Sequence, residues 1–229
     1  MPMAKVLSLN ADANKVLASY DRMESYRIQE DILQNLISSY PDHKNKAAVE
    51  VKAKLLNLLY STSINAINLM AKHIMDIQDI DKRLKTGDLT LVPEIACLEL
   101  ADGSSRNNYS FATKYCAYHQ PSKFPIYDSI VAAVFTKLFE DGHLNGYVYA
   151  SESDTTKRVF NKGGFKEKLK DYRFYVEVYN AFMKQYDLES LTYRQVDSYL
   201  WGAYKLAGKD YEIERLAPID KKKISQVEV

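Results

Sequence analysis

The segment FKEKLKDYRFYVEVYNAFMKQYD, 165–187, sets Phe165, Leu169, Tyr172, Val176, Tyr179 and Met183 at alternating intervals of four and three. An α-helix turns once in about 3.6 residues, so this spacing lines one face with apolar groups and predicts an amphipathic helix. The same period recurs along most of the chain. Over 12–38, Val16, Tyr20, Met23, Ile28, Ile32, Leu36 and Ile37 mark a helix that Pro41 ends. KAAVEVKAKLLNLLY, 46–60, predicts a second helix with Val51, Leu55, Leu58 and Leu59 as its apolar face. STSIN, 61–65, then clusters groups that cap a helix, so either one helix runs to about 76 or two meet at a corner. DIQDIDKRLKTGD reads as a short helix closed by Gly87, and LTLVPEIACLEL as a helix with Pro93 in its first turn. ADGSSRNN reads as a turn. SIVAAVFTKLF is a further helix, and LTYRQVDSYLWGAYKLAG begins with a Thr192/Gln195 capping box and a Leu191–Val196 staple and stops at Gly208. The expected fold class is all-α.

Composition narrows the function classes. With 229 residues, 46% of them hydrophobic, the chain can bury a sizeable core as one domain or two small lobes. Lys+Arg at 31 against Asp+Glu at 30 leaves a net charge of +1, so no bulk excess of positive charge announces a polyanionic partner. Cys97 and Cys116 are too few for a disulfide framework or a four-cysteine metal site. No apolar run reaches the roughly 18 residues of a membrane span, and the first residues lack the apolar core of a secretory signal. A cytoplasmic protein with no membrane partner is expected. His73 and His119 have no companions at metal-ligand spacing, so neither a metal nor a cofactor is expected. The Gly- and Ser-rich stretch 141–164 is expected to be a loop or small insertion, and 218–229 a frayed tail.

The stretch SFATKYCAYHQPSKFPIYDSIV, 110–131, carries the chemistry-bearing residues. It predicts a helix with Lys114, a turn from Pro121 to Pro125, and a second helix opening at Asp128. On spacing alone, Asp128 is an N-cap and Lys114 a surface lysine at a polar edge. The alternative is an amine and a carboxylate facing one cleft, where the amine attacks an electrophilic carbon and the carboxylate stabilises positive charge.

The residues of 55–135 resemble the helix-hairpin-helix DNA glycosylases, the superfamily of endonuclease III, adenine glycosylase and 8-oxoguanine glycosylase. NYSFATK, 108–114, matches the hairpin with its lysine at Lys114, and FPIYDSIV, 124–131, matches the segment whose aspartate falls on Asp128. LLNLLYSTSINAINLMAKHI is similar to the helix pair before the hairpin. YSFATKYC and PIYDS together resemble a divergent bacterial group of that superfamily. Ser110 and Ala112 stand where the family carries hairpin glycines, and the lysine-to-aspartate interval is shorter by about one helical turn.

The resemblance implies a two-lobed helical glycosylase fold with 46–140 as its motif-bearing core. It also implies base excision on double-stranded DNA: the target nucleotide turns out of the duplex, Asp128 stabilises charge on the sugar, and Lys114 attacks C1′ to give a Schiff base. Arg106, Asn107, Asn108, Ser110, Thr62 and Lys123 are then candidates for DNA contacts, and Tyr109, Tyr118 and Tyr127 for the base pocket. Among 18 tyrosines, packing competes with such roles, and Trp201 reads as core. Lys157, Arg158, Lys162, Lys166, Lys168 and Lys170 form a second basic run that reads equally as a solvated face. Two further readings stand beside catalysis: a DNA-binding protein that has lost the chemistry, and a helical protein-interaction module.

Overall fold

Short polar side chains take up the first orphan N–H groups of several helices, and these caps set where the elements begin. In the computed structural model, Asn45 Oδ1 accepts from Ala48 N and Asp128 Oδ1 from Ile130 N and Val131 N. Asp171 Oδ1 accepts from Arg173 N and Phe174 N. Thr192 and Gln195 form the full capping box, with Thr192 N donating to Gln195 Oε1 at 2.8 Å and Gln195 N to Thr192 Oγ1 at 3.3 Å.

The structure describes residues 5–7, 24–144, 147–149, 158–160, 162–186, 188–207 and 211–213. In chain order the elements are β1 (Lys5–Leu7), α1 (Glu24–Ser39), α2 (Lys46–Leu59), α3 (Ile67–Asp76), α4 (Ile80–Thr86), α5 (Leu91–Ala96), β2 (Cys97–Glu99) and β3 (Ser105–Asn107). There follow α6 (Tyr109–His119), α7 (Ser129–Glu140), β4 (Tyr147–Tyr149), β5 (Arg158–Phe160), α8 (Lys162–Lys168), α9 (Tyr172–Gln185), α10 (Tyr193–Ala207) and β6 (Tyr211–Ile213). The described chain is mostly helical, as expected, with strands only in two-stranded pairs: β1–β6 and β4–β5 parallel, β2–β3 antiparallel. No helix among the described residues is long and apolar enough to cross a membrane.

Two units divide the chain, Met23–Tyr127 and Met1–Arg22 with Asp128–Val229. The division falls inside the 46–140 segment expected as one core.

In the Met23–Tyr127 unit, α2 packs on α1, α3 and α6, and α5 packs on α6. Two predicted faces are turned in part. On α1 Ile37 is buried as expected, but Ile28 and Ile32 are exposed and Leu33 is buried. On α2 the predicted face is split: Leu59 is buried and Leu55 half-buried, but Leu58 is 73% and Val51 49% exposed, and Ala48, Val49, Lys52, Ala53 and Leu56 fill the core side. Lys52 lays its apolar stem along the core stripe and donates its ammonium to the carbonyls of Tyr40 and Asp42 in the turn after α1.

The 60–66 segment is a corner between α2 and α3, not a continuous helix. Asn57 Oδ1 accepts from Thr62 Oγ1 and Ile64 N, and Asn57 Nδ2 donates to Ile64 O. This clamp holds Ser61 and Ser63 at φ of 48° and 58°, in the left-handed region. Gly87 closes α4 at φ 74°, as expected.

Between α5 and α6 the chain differs from a tight helical hairpin. The end of the stretch expected as one helix, Cys97–Glu99, is β2, which pairs with β3 in a β-hairpin turned at Gly103. Asn108 is the N-cap of α6, and Tyr109 to Ala112 lie inside the helix. The positions aligned with hairpin glycines are therefore helical backbone, where serine and alanine carry no penalty of positive φ.

In the other unit, the four-three stripe is buried from Phe165 to Met183. It is carried by two helices, α8 and α9, because Asp171 caps a new start after the turn at 169–171. Phe135 of α7 meets Tyr175, Tyr179 and Phe182 of α9 at ring distances of 6.0, 5.3 and 5.4 Å. Phe139 stacks on Phe165 at 4.2 Å. Within 141–164, expected as a loop or small insertion, the described residues include β4, β5 and the start of α8. Trp201 lies on α10 and is half-buried. The tail 218–229, Lys157, the predicted stop at Gly208 and the 12–23 part of the first predicted helix lie outside the described residues.

Candidate functional site

Helix α6 buries eight consecutive residues, Phe111 to Tyr118, so it has no polar edge on which a lysine can sit in water. Lys114 is accordingly 4% exposed, not a surface lysine. Its Nζ donates to Ser110 Oγ at 2.7 Å, one turn back, and reaches Tyr127 O at 3.5 Å. The ring of Tyr60 lies 5.1 Å from the same nitrogen. The segment that supplies Tyr127 is held by Thr113, whose Oγ1 donates to Ser110 O and accepts from Tyr127 N. Beside the amine, Tyr60 OH donates to Glu30 Oε1 and bonds Tyr118 OH, both at 2.7 Å. Burial of an ammonium is costly unless acceptors surround it, and here a hydroxyl, a carbonyl and a ring face do so.

The other expected residues fall as follows. Ser110 and Tyr127 join Lys114 directly, and Tyr118 joins through Tyr60. Tyr109 and Tyr127 pack on each other at 4.7 Å. Arg106 and Asn107 are exposed on β3. Asn108 N donates to Ala96 O at 2.8 Å and its side chain to Arg106 O at 3.4 Å. Thr62 is tied to Asn57 in the corner. Lys123 is exposed, with its stem so close to Gly87 that a Cβ there would meet Lys123 Cδ at 3.3 Å. Asp128 belongs to the other unit, where its carboxylate caps α7.

A second polar cluster escaped the sequence reading. His43 Nδ1 bonds Asp81 Oδ1 at 2.6 Å and His43 Nε2 meets Tyr115 OH at 2.8 Å. An ionised Asp81 requires the proton on Nδ1, so Nε2 accepts from the tyrosine hydroxyl. His119 stacks on His43 at 5.0 Å and lies 4.9 Å from the Tyr115 ring. Among the described residues, His119 Nε2 is the buried side-chain nitrogen left without a hydrogen-bond partner.

Burial pushes His43 below the ordinary imidazole range against the pull of Asp81, and pushes His119 well below it, with His43 and Lys52 adding to the effect. Burial also lowers Lys52 and raises the Tyr115 hydroxyl and the Cys116 thiol. The Asp81–His43–Tyr115 hydrogen bonds tie the turn before α2 to α4 and α6. The residues lie too far apart in sequence for a local motif. The one legible signal was Lys52 itself, which interrupts the Ala48–Leu56 stripe. No cluster of three or more metal-ligating side chains occurs among the described residues.

A family model described as the HI_0787_N N-terminal domain matches residues 12–123. That span includes Lys114 and stops short of Asp128. An uncharacterised protein of Haemophilus influenzae (strain Rd) is 39% identical over 155 residues, 67% of this chain. The chain spans 63% of the length of that relative. No solved structure matches the chain.

Proposed function

We propose that this chain is a base-excision DNA glycosylase with lyase chemistry, acting on a damaged or modified base, with Lys114 as nucleophile and Asp128 as electrostatic stabiliser. The observation that carries this reading is the setting of Lys114: an amine within a buried helix, held on Ser110 Oγ, Tyr127 O and the face of Tyr60. An amine so held is oriented before substrate arrives, and orientation is a large part of nucleophilic catalysis. In the proposed step Nζ, having lost a proton to solvent, bonds C1′ while the bond to the base breaks. The base leaves with the bonding pair and takes up a proton. The carboxylate of Asp128, oriented by the N–H groups of Ile130 and Val131, opposes the positive charge that develops on the sugar. Nζ then sheds a proton, the C1′–O4′ bond breaks with O4′ taking up a proton, and the resulting iminium is reduced by borohydride to a stable amine. Arg106, Asn107, Asn108, Ser110, Thr62 and Lys123 are the proposed DNA contacts, and Tyr109, Tyr118 and Tyr127 the proposed base pocket.

The test is borohydride trapping on duplexes carrying damaged, mismatched, modified or abasic sites. The expected result is a covalent adduct that Lys114→Ala abolishes. An adduct retained in that variant, or none with the wild type on any duplex, overturns the assigned role. A second reading, a DNA-binding protein without chemistry, is favoured by the 4% exposure of Lys114. It predicts salt-sensitive duplex binding and no adduct.

A further inference from the structure

Tyr60 joins two polar groups that are otherwise unrelated in sequence. Its ring face addresses Lys114 Nζ at 5.1 Å, and its hydroxyl donates to Glu30 Oε1 at 2.7 Å. The single hydroxyl proton is committed to the carboxylate, so the 2.7 Å contact with Tyr118 is one in which Tyr118 donates. A phenol that donates to a carboxylate gains electron density, and that density deepens the negative potential over the ring. Such a face attracts an ammonium and not a neutral amine. Ser110 Oγ and Tyr127 O also act on the same nitrogen as acceptors.

We propose that Tyr60 is a positioning residue that holds the Lys114 amine in its charged form, and that Glu30 sets the strength of the hold through the Tyr60 hydroxyl. The functional meaning rests on the base-excision reading, in which the amine must shed a proton before it attacks. The hold then keeps the amine unreactive in the resting protein. Glu30, on α1, thereby acts on the chemistry of α6 through the Tyr60 ring.

Trace acetylation of the full chain across a pH series, read at the Lys114 peptide by mass spectrometry, tests this without DNA. The midpoint of the profile reports the hold on charge, and its plateau reports access. Tyr60→Leu is expected to move the midpoint to lower pH, raising the reactive fraction near neutrality by about threefold to tenfold. Tyr60→Phe keeps the ring and is expected to move it less. Glu30→Gln leaves the ring in place and is expected to give a small shift in the same direction.

A raised plateau with an unchanged midpoint in Tyr60→Leu overturns the proposal, because loss of packing alone does that. A Tyr60→Phe shift as large as that of Tyr60→Leu overturns the ring as the holding group. Identical profiles for Glu30→Gln and wild type overturn the tuning, and this variant decides that part even if Tyr60→Leu does not fold. Borohydride trapping of the same variants on an abasic duplex runs in parallel. No adduct with the wild type removes the base-excision reading, while the acetylation midpoints still decide the hold on Lys114.

Discussion

Acid should loosen the Met23–Tyr127 unit through His119, and the sign follows from its burial. The imidazole is held well below its ordinary value of 6.5, chiefly by desolvation, with the neighbouring His43 and Lys52 opposing its charge further. The groups that face the pair are Asp81 on α4, Tyr115 on α6, Lys52 on α2 and Asp42 before it. A histidine depressed in the native state stays neutral there while the unfolded chain takes up a proton. Its contribution is complete above about pH 6.5 and is lost as pH falls from there toward the folded value. The steepest possible slope is about 1.4 kcal/mol per pH unit for one group, so by about pH 5 the loss from His119 alone is at most about 2 kcal/mol.

Urea unfolding followed by far-UV circular dichroism, at a series from about pH 7.5 to about pH 5, measures it. Carboxylates contribute to the raw slope, so the decisive quantity is the difference between wild type and His119→Phe. That variant keeps a planar ring beside His43 and removes both the titration and the orphaned Nε2. Wild type is expected to lose stability relative to His119→Phe as pH falls, by up to about 2 kcal/mol at the acid end. Parallel profiles would refute the reasoning, since they would mean that His119 protonates as easily folded as unfolded.

Asp128 separates structure from chemistry. Asp128→Asn keeps an acceptor for the N–H groups of Ile130 and Val131 and should hold most of the stability, while Asp128→Ala should cost about 1 kcal/mol in urea unfolding; base release should fail in both. At the corner, Asn57→Ala removes the three bonds that hold 62–64 and should lower stability by about 2 kcal/mol, with faster amide exchange at Thr62 and Ile64; unchanged exchange would mean that the left-handed serines hold the corner unaided.

Helix starts and stops were the most legible feature, because a cap is a contact among residues two to four apart. Asp128, the Thr192/Gln195 box and Gly87 are written in the chain within one turn of where they act. The periodic stripe from Phe165 to Met183 was equally legible, since the period belongs to the helix and not to its neighbours. Lys114 and Asp128 stood out by residue type alone. What surrounds Lys114 did not, because Tyr60 and Glu30 approach it from α2 and α1.

Tertiary packing decided the rest. On α2 Val51 and Leu58 lie outside, and the stripe of Ala48, Val49, Ala53, Leu56 and Leu59 that also carries Lys52 lies inside. Apolar attraction has no direction of its own, so a helix with two usable faces buries the one that its neighbours can cover. Lys52 is admitted because its stem is apolar and two carbonyls receive its head. His43, Asp81, Tyr115 and His119 meet only once α2, α4 and α6 have packed, and no local spacing encodes that meeting. The caps and periods of the helices were determined by the sequence itself, because those interactions close within a turn. Which face is buried, and which distant polar groups must satisfy one another there, was decided only when the helices came together, because the burial of each depends on all the others.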